Sequence, residues 1–155
     1  MLVVVFSMTD ATKFKSKAPK WAKIVVISPV GDFIDLNSAK EKMLESEFVM
    51  FAHEDMDVNW DVVASMKRKL KTSEVYGAVF SDYLKRINHK ILPRLRKSYR
   101  KKNKVLPVFG AVFQNTLFPD VVEDIINCQN LTVDSFMKKD LNFIPYHIPD
   151  FSFVL

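Results

Sequence analysis

Glycine is scarce in this chain, with three residues among 155. Neither a G-x-G-x-x-G turn nor a Walker phosphate loop is present, which disfavours a Rossmann dehydrogenase and a P-loop nucleotidase. A phosphate held here has to rely on metal and basic side chains instead. Cysteine is scarcer still. Cys128 stands alone, so no internal disulfide can form, and at the end of a helical pattern it reads as packing rather than as a nucleophile. No apolar run approaches the roughly 18–20 residues that cross a bilayer. Leu2–Phe6 lacks the length and basic flank of a secretory signal and reads as a first strand, so cytoplasmic residence is the expectation.

What is present fits one domain over residues 1–155, with a hydrophobic fraction of 48% that supports a real core. The net charge of +5 is local. Ten cations fall between Lys85 and Lys104, no acid lies between Asp82 and Asp120, and the rest of the chain is net acidic. Segment 85–104 therefore suits phosphates of nucleic acid, anionic lipid headgroups at a membrane periphery, or a solvated mobile loop. Its aromatic interleaving is thin, which argues against a dedicated single-strand binding platform, and nucleic acid is the less expected partner.

Apolar runs alternate with helical patterns. Leu2–Phe6, Ile24–Ile27, Phe48–Ala52 and Tyr76–Phe80 read as strands, the last closed by Ser81-Asp82. Helices are expected over Leu36–Ser46, Trp60–Lys71, from Phe118-Pro119-Asp120 onward, and over Val133–Lys139. Ala11–Lys20 reads as a loop or short helix, and Phe143–Ile148 and Phe151–Leu155 as late extended pieces. Strands alternating with helices predict a largely parallel sheet covered on both faces.

The organising stretch is Phe48-Val49-Met50-Phe51-Ala52-His53-Glu54-Asp55-Met56-Asp57. Five apolar residues suit a strand buried on both faces. Three carboxylates follow it, and Asn59 then caps a helix carrying Val62, Met66 and Leu70 inward. Asp55 and Asp57 thus belong just beyond the carboxyl end of a central strand, where open α/β sheets place ligands. A divalent cation would relieve their repulsion, and Mg or Mn prefers oxygen ligands, with substrate phosphates completing the shell. The alternative is that acids gather at a helix start because they favour its dipole. Glu54 supports that pair or is an exposed turn residue, His53 fills the strand end, and Trp60 is core.

In order along the chain, Val3–Asp10, Asn37 at a helix start, Asp55-Met56-Asp57, Ala78–Asp82, Leu106–Phe113, Thr132–Phe136 and His147–Ser152 together resemble a GT-A glycosyltransferase of the family 2 type, in a minimal single-domain form. The resemblance implies a GT-A (nucleotide-diphospho-sugar transferase-like) three-layer α/β sandwich with a mixed, mostly parallel sheet. It also implies metal-dependent, inverting transfer of a sugar from a UDP- or GDP-sugar to an acceptor hydroxyl on a glycan, glycoprotein or glycolipid. Such a compact form suits a viral or small microbial pathway.

By that resemblance Asp55, Asp57 and His147 hold Mn2+ or Mg2+, while Asp10, Asn37, Asp55 and Asp82 contact the donor. Asp134 is the base that takes the acceptor's proton. The family pairs Glu with Asp at the catalytic helix, and here Val133-Asp134 supplies one acid. Each residue keeps a plainer role: Asn37 as a helix cap, Asp82 as a strand-end acid, His147 as filler, and Asp134 as a helix-start acid, with Asp120, Glu123 and Asp124 on the neighbouring helix as competing acids. A nucleotidyltransferase of similar fold, an inactive nucleotide-sugar binder and a non-enzymatic basic nucleic-acid-binding protein are the other readings.

Overall fold

A computed structural model describes residues 1–27, 33–73, 76–95, 105–106, 109–115, 131–132 and 144–155. The expected helices from Phe118 and over Val133–Lys139, and with them Cys128, Asp134 and basic residues 96–104, lie outside the described residues. Asn37 falls within a described helix, but its side chain is not described.

The apolar runs form strands where the pattern places them. Three of them, β1 (Leu2–Phe6), β2 (Lys23–Ile27) and β3 (Phe48–His53), pair parallel with β1 in the middle. Val3, Val4 and Val5 in β1 and Val49 to Ala52 in β3 are all at 0% exposure, as two-sided burial requires. Beyond β3 come β8 (Val112–Gln114), β5 (Tyr76–Ile87), β10 (Ile144–Val154) and the short β4 (Asp57–Val58). Strands β2, β1, β3, β5 and β10 point one way; β8, β4 and β6 (Lys90–Arg94) run against them. The sheet is therefore mixed, with most of its strands parallel. Apart from it, β7 (Val105–Leu106) and β9 (Leu131–Thr132) pair antiparallel.

One face of this sheet carries Val3, Val5, Met50, Ala52, Val79 and Val112. It is covered by Phe14 of α1 (Thr12–Lys17) and by Val63, Met66 and Leu70 of α3 (Trp60–Lys71). Asn59 caps α3 as expected: its side chain accepts from the Val62 N–H at 3.4 Å, while its own N–H donates to the Ser152 carbonyl at 2.7 Å. Such a cap contributes about 1 kcal/mol. Phe51, Phe80 and Phe113 alternate to the other face, with ring centroids 6.2 and 6.1 Å apart in sequence across the strands. All three are fully buried, and each contributes roughly 1.5–3 kcal/mol. On the β1–β2 side lies α2 (Phe33–Glu45), which begins three residues before the expected Leu36 and buries Ala39 and Met43.

Strand β5 departs from expectation. It does not close at Ser81-Asp82 but runs on to Ile87, then turns through Asn88-His89 into β6. Both turn residues have positive φ, 46° and 65°, as a two-residue hairpin turn requires. Lys85 to Arg94 are therefore strand and turn. Lys85, Arg86, Lys90 and Arg94 are exposed there beside Ile91 and Leu92, which are 53% and 40% exposed.

Gly110 fixes how β8 enters the sheet. Its N–H donates to the Phe51 carbonyl at 2.9 Å with φ at +74°, and a Cβ there would fall on the Phe153 ring. Gly110→Ala is expected to lower the unfolding free energy by about 2–4 kcal/mol, combining left-handed backbone strain with overpacking. Urea unfolding measures it; a loss below about 0.5 kcal/mol would mean that the ring yields freely.

Candidate active-site cleft

Phe6 lies beside His53 in the parallel register, so β1 and β3 end level and their turns leave the same sheet edge. The two turns are tied together by Glu54. Its N–H donates to the Phe6 carbonyl at 3.1 Å. Its carboxylate accepts from the Ser7 hydroxyl at 2.6 Å, the Thr9 hydroxyl at 2.8 Å and the Met8 N–H at 3.0 Å. These bonds, that from Ser7 foremost, hold the Glu54 carboxyl below its ordinary range. Glu54 thus joins the turn after β1 to the turn after β3.

Beyond Thr9 the chain is steered into α1. The Asp10 carboxylate accepts from the Thr12 N–H at 3.1 Å, and Ala11 takes a left-handed φ of 54° at the helix start. Hydrogen bonds from the Thr12 side chain and backbone keep Asp10 below the usual aspartate range. On the other turn Met56 is buried, so Asp55 and Asp57 on either side of it are thrown outward.

A cleft of about 830 Å³ opens between these turns. Asp10, Asp55 and Asp57 all line it, with Phe14, Met56 and Trp60 as apolar lining and Lys13, Lys17 and Arg86 as cations. Trp60 packs edge-on against Phe14 and Trp21 at 5.8 and 5.9 Å, so it is both core and cleft wall. Asp57 is bound by Lys17, Nζ to Oδ1 at 2.8 Å, and this partner holds its carboxyl below the usual range. The two side chains are 51% and 60% exposed, so the pair is worth about 0.2–1 kcal/mol. An entering ligand can therefore displace it. Asp55 is 80% exposed, with His53 Nδ1 3.4 Å from its Oδ2.

Two residues expected at the site are elsewhere. His147 and Asp82 do not line the cleft; they bond to each other, Nε2 to Oδ1 at 2.7 Å, at 9% and 2% exposure. The register sets His147 beside Phe80, and Asp82 stands two residues beyond it, so both alternate to the face away from α3. Neighbouring Ser81 and Ser152 are buried and hydrogen-bond each other. Among the described residues, no three His, Cys, Asp or Glu side chains converge as a ready-made metal site. The cations Lys13 and Lys17 escaped the sequence reading because Ala11–Lys20 has neither a strong period nor a motif. Their four-residue spacing was the available signal.

No protein-family model and no curated protein matches the chain. Among solved structures, S. aureus TarS 1-349 in complex with UDP-GlcNAc aligns over 99% of this chain at 12% identity with a TM-score of 0.57. TarS 1-349 without that ligand gives 0.55 at 11% identity over 99% of this chain and 59% of that one. This chain spans 58% of the length of the complexed TarS chain. The Francisella tularensis 2-C-methyl-D-erythritol 4-phosphate cytidylyltransferase is looser, with a TM-score of 0.49 at 12% identity over 94% of this chain and 89% of that one. At such identities the likeness is one of fold. The sheet and helices are those of a GT-A-like nucleotide-sugar transferase sandwich.

A depressed carboxyl contributes stability above its unfolded value, and that stability is lost as pH falls through the folded value. Glu54→Gln is therefore expected to be less stable than the parent at pH 7, with the gap closing on acidification below about pH 4. Urea unfolding from pH 7 to 3 measures this. A gap that stays constant would remove the Glu54 charge as its source.

Proposed function

We propose that the cleft binds a nucleotide-diphosphate sugar and that the chain transfers the sugar to an acceptor hydroxyl. The observation that carries this reading is the meeting of Asp10, Asp55 and Asp57 in one cleft at the carboxyl edge of β1 and β3. That edge is where sheets of this kind take ligands. The fold shared with a protein crystallised with UDP-GlcNAc supports the choice of donor class.

Asp10, in the turn after β1, is assigned to the ribose or base, and Asp55 to the ribose, the cation or both. Asp57 is assigned to the cation directly. Their chemistry fits Mn2+ or Mg2+, which is commonly held by one or two carboxylates plus substrate phosphates. Both acids are exposed to the cleft, and the partner that Asp57 must release is weakly held. A cation there would supply Lewis-acid neutralisation of the departing diphosphate. Asp57, kept below the ordinary aspartate range, is ionised and ready at neutral pH. His147 is not assigned to the metal, since it is committed to Asp82 on the other face.

For the chemical step, the acceptor oxygen forms a bond to the anomeric carbon as the bond to the diphosphate oxygen breaks, with inversion. Asp134 is assigned as the base that receives the acceptor proton, on the strength of the family resemblance at Thr132–Phe136.

UDP or GDP with Mn2+ is expected to raise the melting temperature, the stabilisation being about 2.7 kcal/mol at a hundred times Kd. Asp57→Ala should abolish that rise. Asp134→Asn should keep it, yet slow transfer by about 100-fold or more. Absence of a shift with every nucleotide and nucleotide sugar tried would end the donor reading, and unchanged turnover would remove Asp134 from the mechanism.

A further inference from the structure

Three cations enter the cleft that the acids line. Lys13 and Lys17 stand four residues apart on α1, hence on one side of it, and Arg86 arrives from the far end of β5. The three come from parts of the chain some 70 residues apart, so their meeting is a product of the fold. Lys17 Nζ sits 2.8 Å from Asp57 Oδ1, and Lys13 and Arg86 line the same cleft. Of the neighbouring acids, Glu54 is engaged with Ser7, Met8 and Thr9, and Asp10 with Thr12. Asp55 and Asp57 thus share the open volume with the three cations, and Lys17 is the one seated on an acid.

Point-like ammonium groups and a forked guanidinium around a cleft of this size match the oxygens of a pyrophosphate, in a chain with no glycine-rich loop to cradle one. We propose that Lys13, Lys17 and Arg86 form a pyrophosphate-binding set, with Lys17, seated on Asp57 in this structure, transferring to a phosphate oxygen when a nucleoside diphosphate binds. The proposal rests on the donor reading of the same cleft and adds to it which residues hold the phosphates. It also gives the Lys17–Asp57 pair a function. Were Asp57 to hold a cation, its lysine would be free to serve the phosphates, so one exchange would prepare both partners.

The test is isothermal titration of the full chain with sodium pyrophosphate in EDTA, where no divalent ion contributes. Lys17→Gln and Arg86→Gln are each expected to weaken binding about tenfold, the loss of one charge-assisted contact, and Lys17→Arg to restore it. Asp57→Asn should tighten metal-free binding severalfold, because it frees Lys17. Higher salt should weaken binding throughout. Equal affinity in the parent and Lys17→Gln, or loss of metal-free binding in Asp57→Asn, would overturn the proposal.

A parallel titration with UDP-GlcNAc and Mn2+ separates the two readings. If that ligand binds while pyrophosphate affinity ignores Lys17, the cation set fails and the donor cleft stands. If pyrophosphate behaves as described and no nucleotide sugar binds, the cation set stands and the donor assignment fails.

Discussion

The carboxylate of Glu54 accepts a hydrogen bond from each of three consecutive residues, Ser7, Met8 and Thr9, and so clamps the turn after β1 to the turn after β3. Parallel strands deliver two chain ends to one edge but do not by themselves fix how the loops beyond them lie. Here one ionised side chain does so. Asp10 follows on one turn, and Asp55 and Asp57 on the other, and the space between them is the cleft. The apolar sheet beneath supplies most of the stability, since its fully buried phenylalanines alone outweigh any surface contact. The clamp's contribution is position.

Two polar side-chain pairs in the molecule illustrate what burial does to a contact. His147–Asp82 is almost wholly enclosed, and losing a partner there would cost on the order of 1–5 kcal/mol. Lys17–Asp57 is more than half exposed and costs a fraction of that to part. The first is therefore a fixed element of the sheet, and the second is available for exchange. The same reasoning separates two acids that look equivalent in sequence, each following a hydrophobic strand: Asp82 is consumed by the fold, and Asp57 is presented to the cleft.

Much of the frame was legible in local pattern. Leu2–Phe6 and Trp60–Lys71 are found with the expected bounds, and Asn59 caps as its position implied, because hydrophobic period and capping act within a few residues. What local pattern could not convey was long-range satisfaction of polar groups. Ser81 and Asp82 read as the end of a strand because polar residues rarely sit mid-strand in a core. Their partners Ser152 and His147 lie 71 and 65 positions away, and pairing with them lets β5 run on. Glu54 was ambiguous for the same reason, its partners being 45 to 47 residues earlier. Asp10, Asp55 and Asp57 line one cleft because the turns that carry them leave β1 and β3 at the same sheet edge. Lys13 and Lys17 were missed because their four-residue spacing on a short helix does not tell which way that helix faces until the fold sets it.

One cleft, at the shared edge of β1 and β3, is proposed to hold a divalent ion and a pyrophosphate together. Anomalous diffraction from crystals soaked in UDP and MnCl2 tests it most directly. The expected result is a manganese peak coordinated by the Asp57 carboxylate and by phosphate oxygens, with the Lys17 ammonium moved from Asp57 onto the diphosphate. Manganese at His147 and Asp82 instead, or UDP bound away from this cleft with Lys17 still on Asp57, would contradict it.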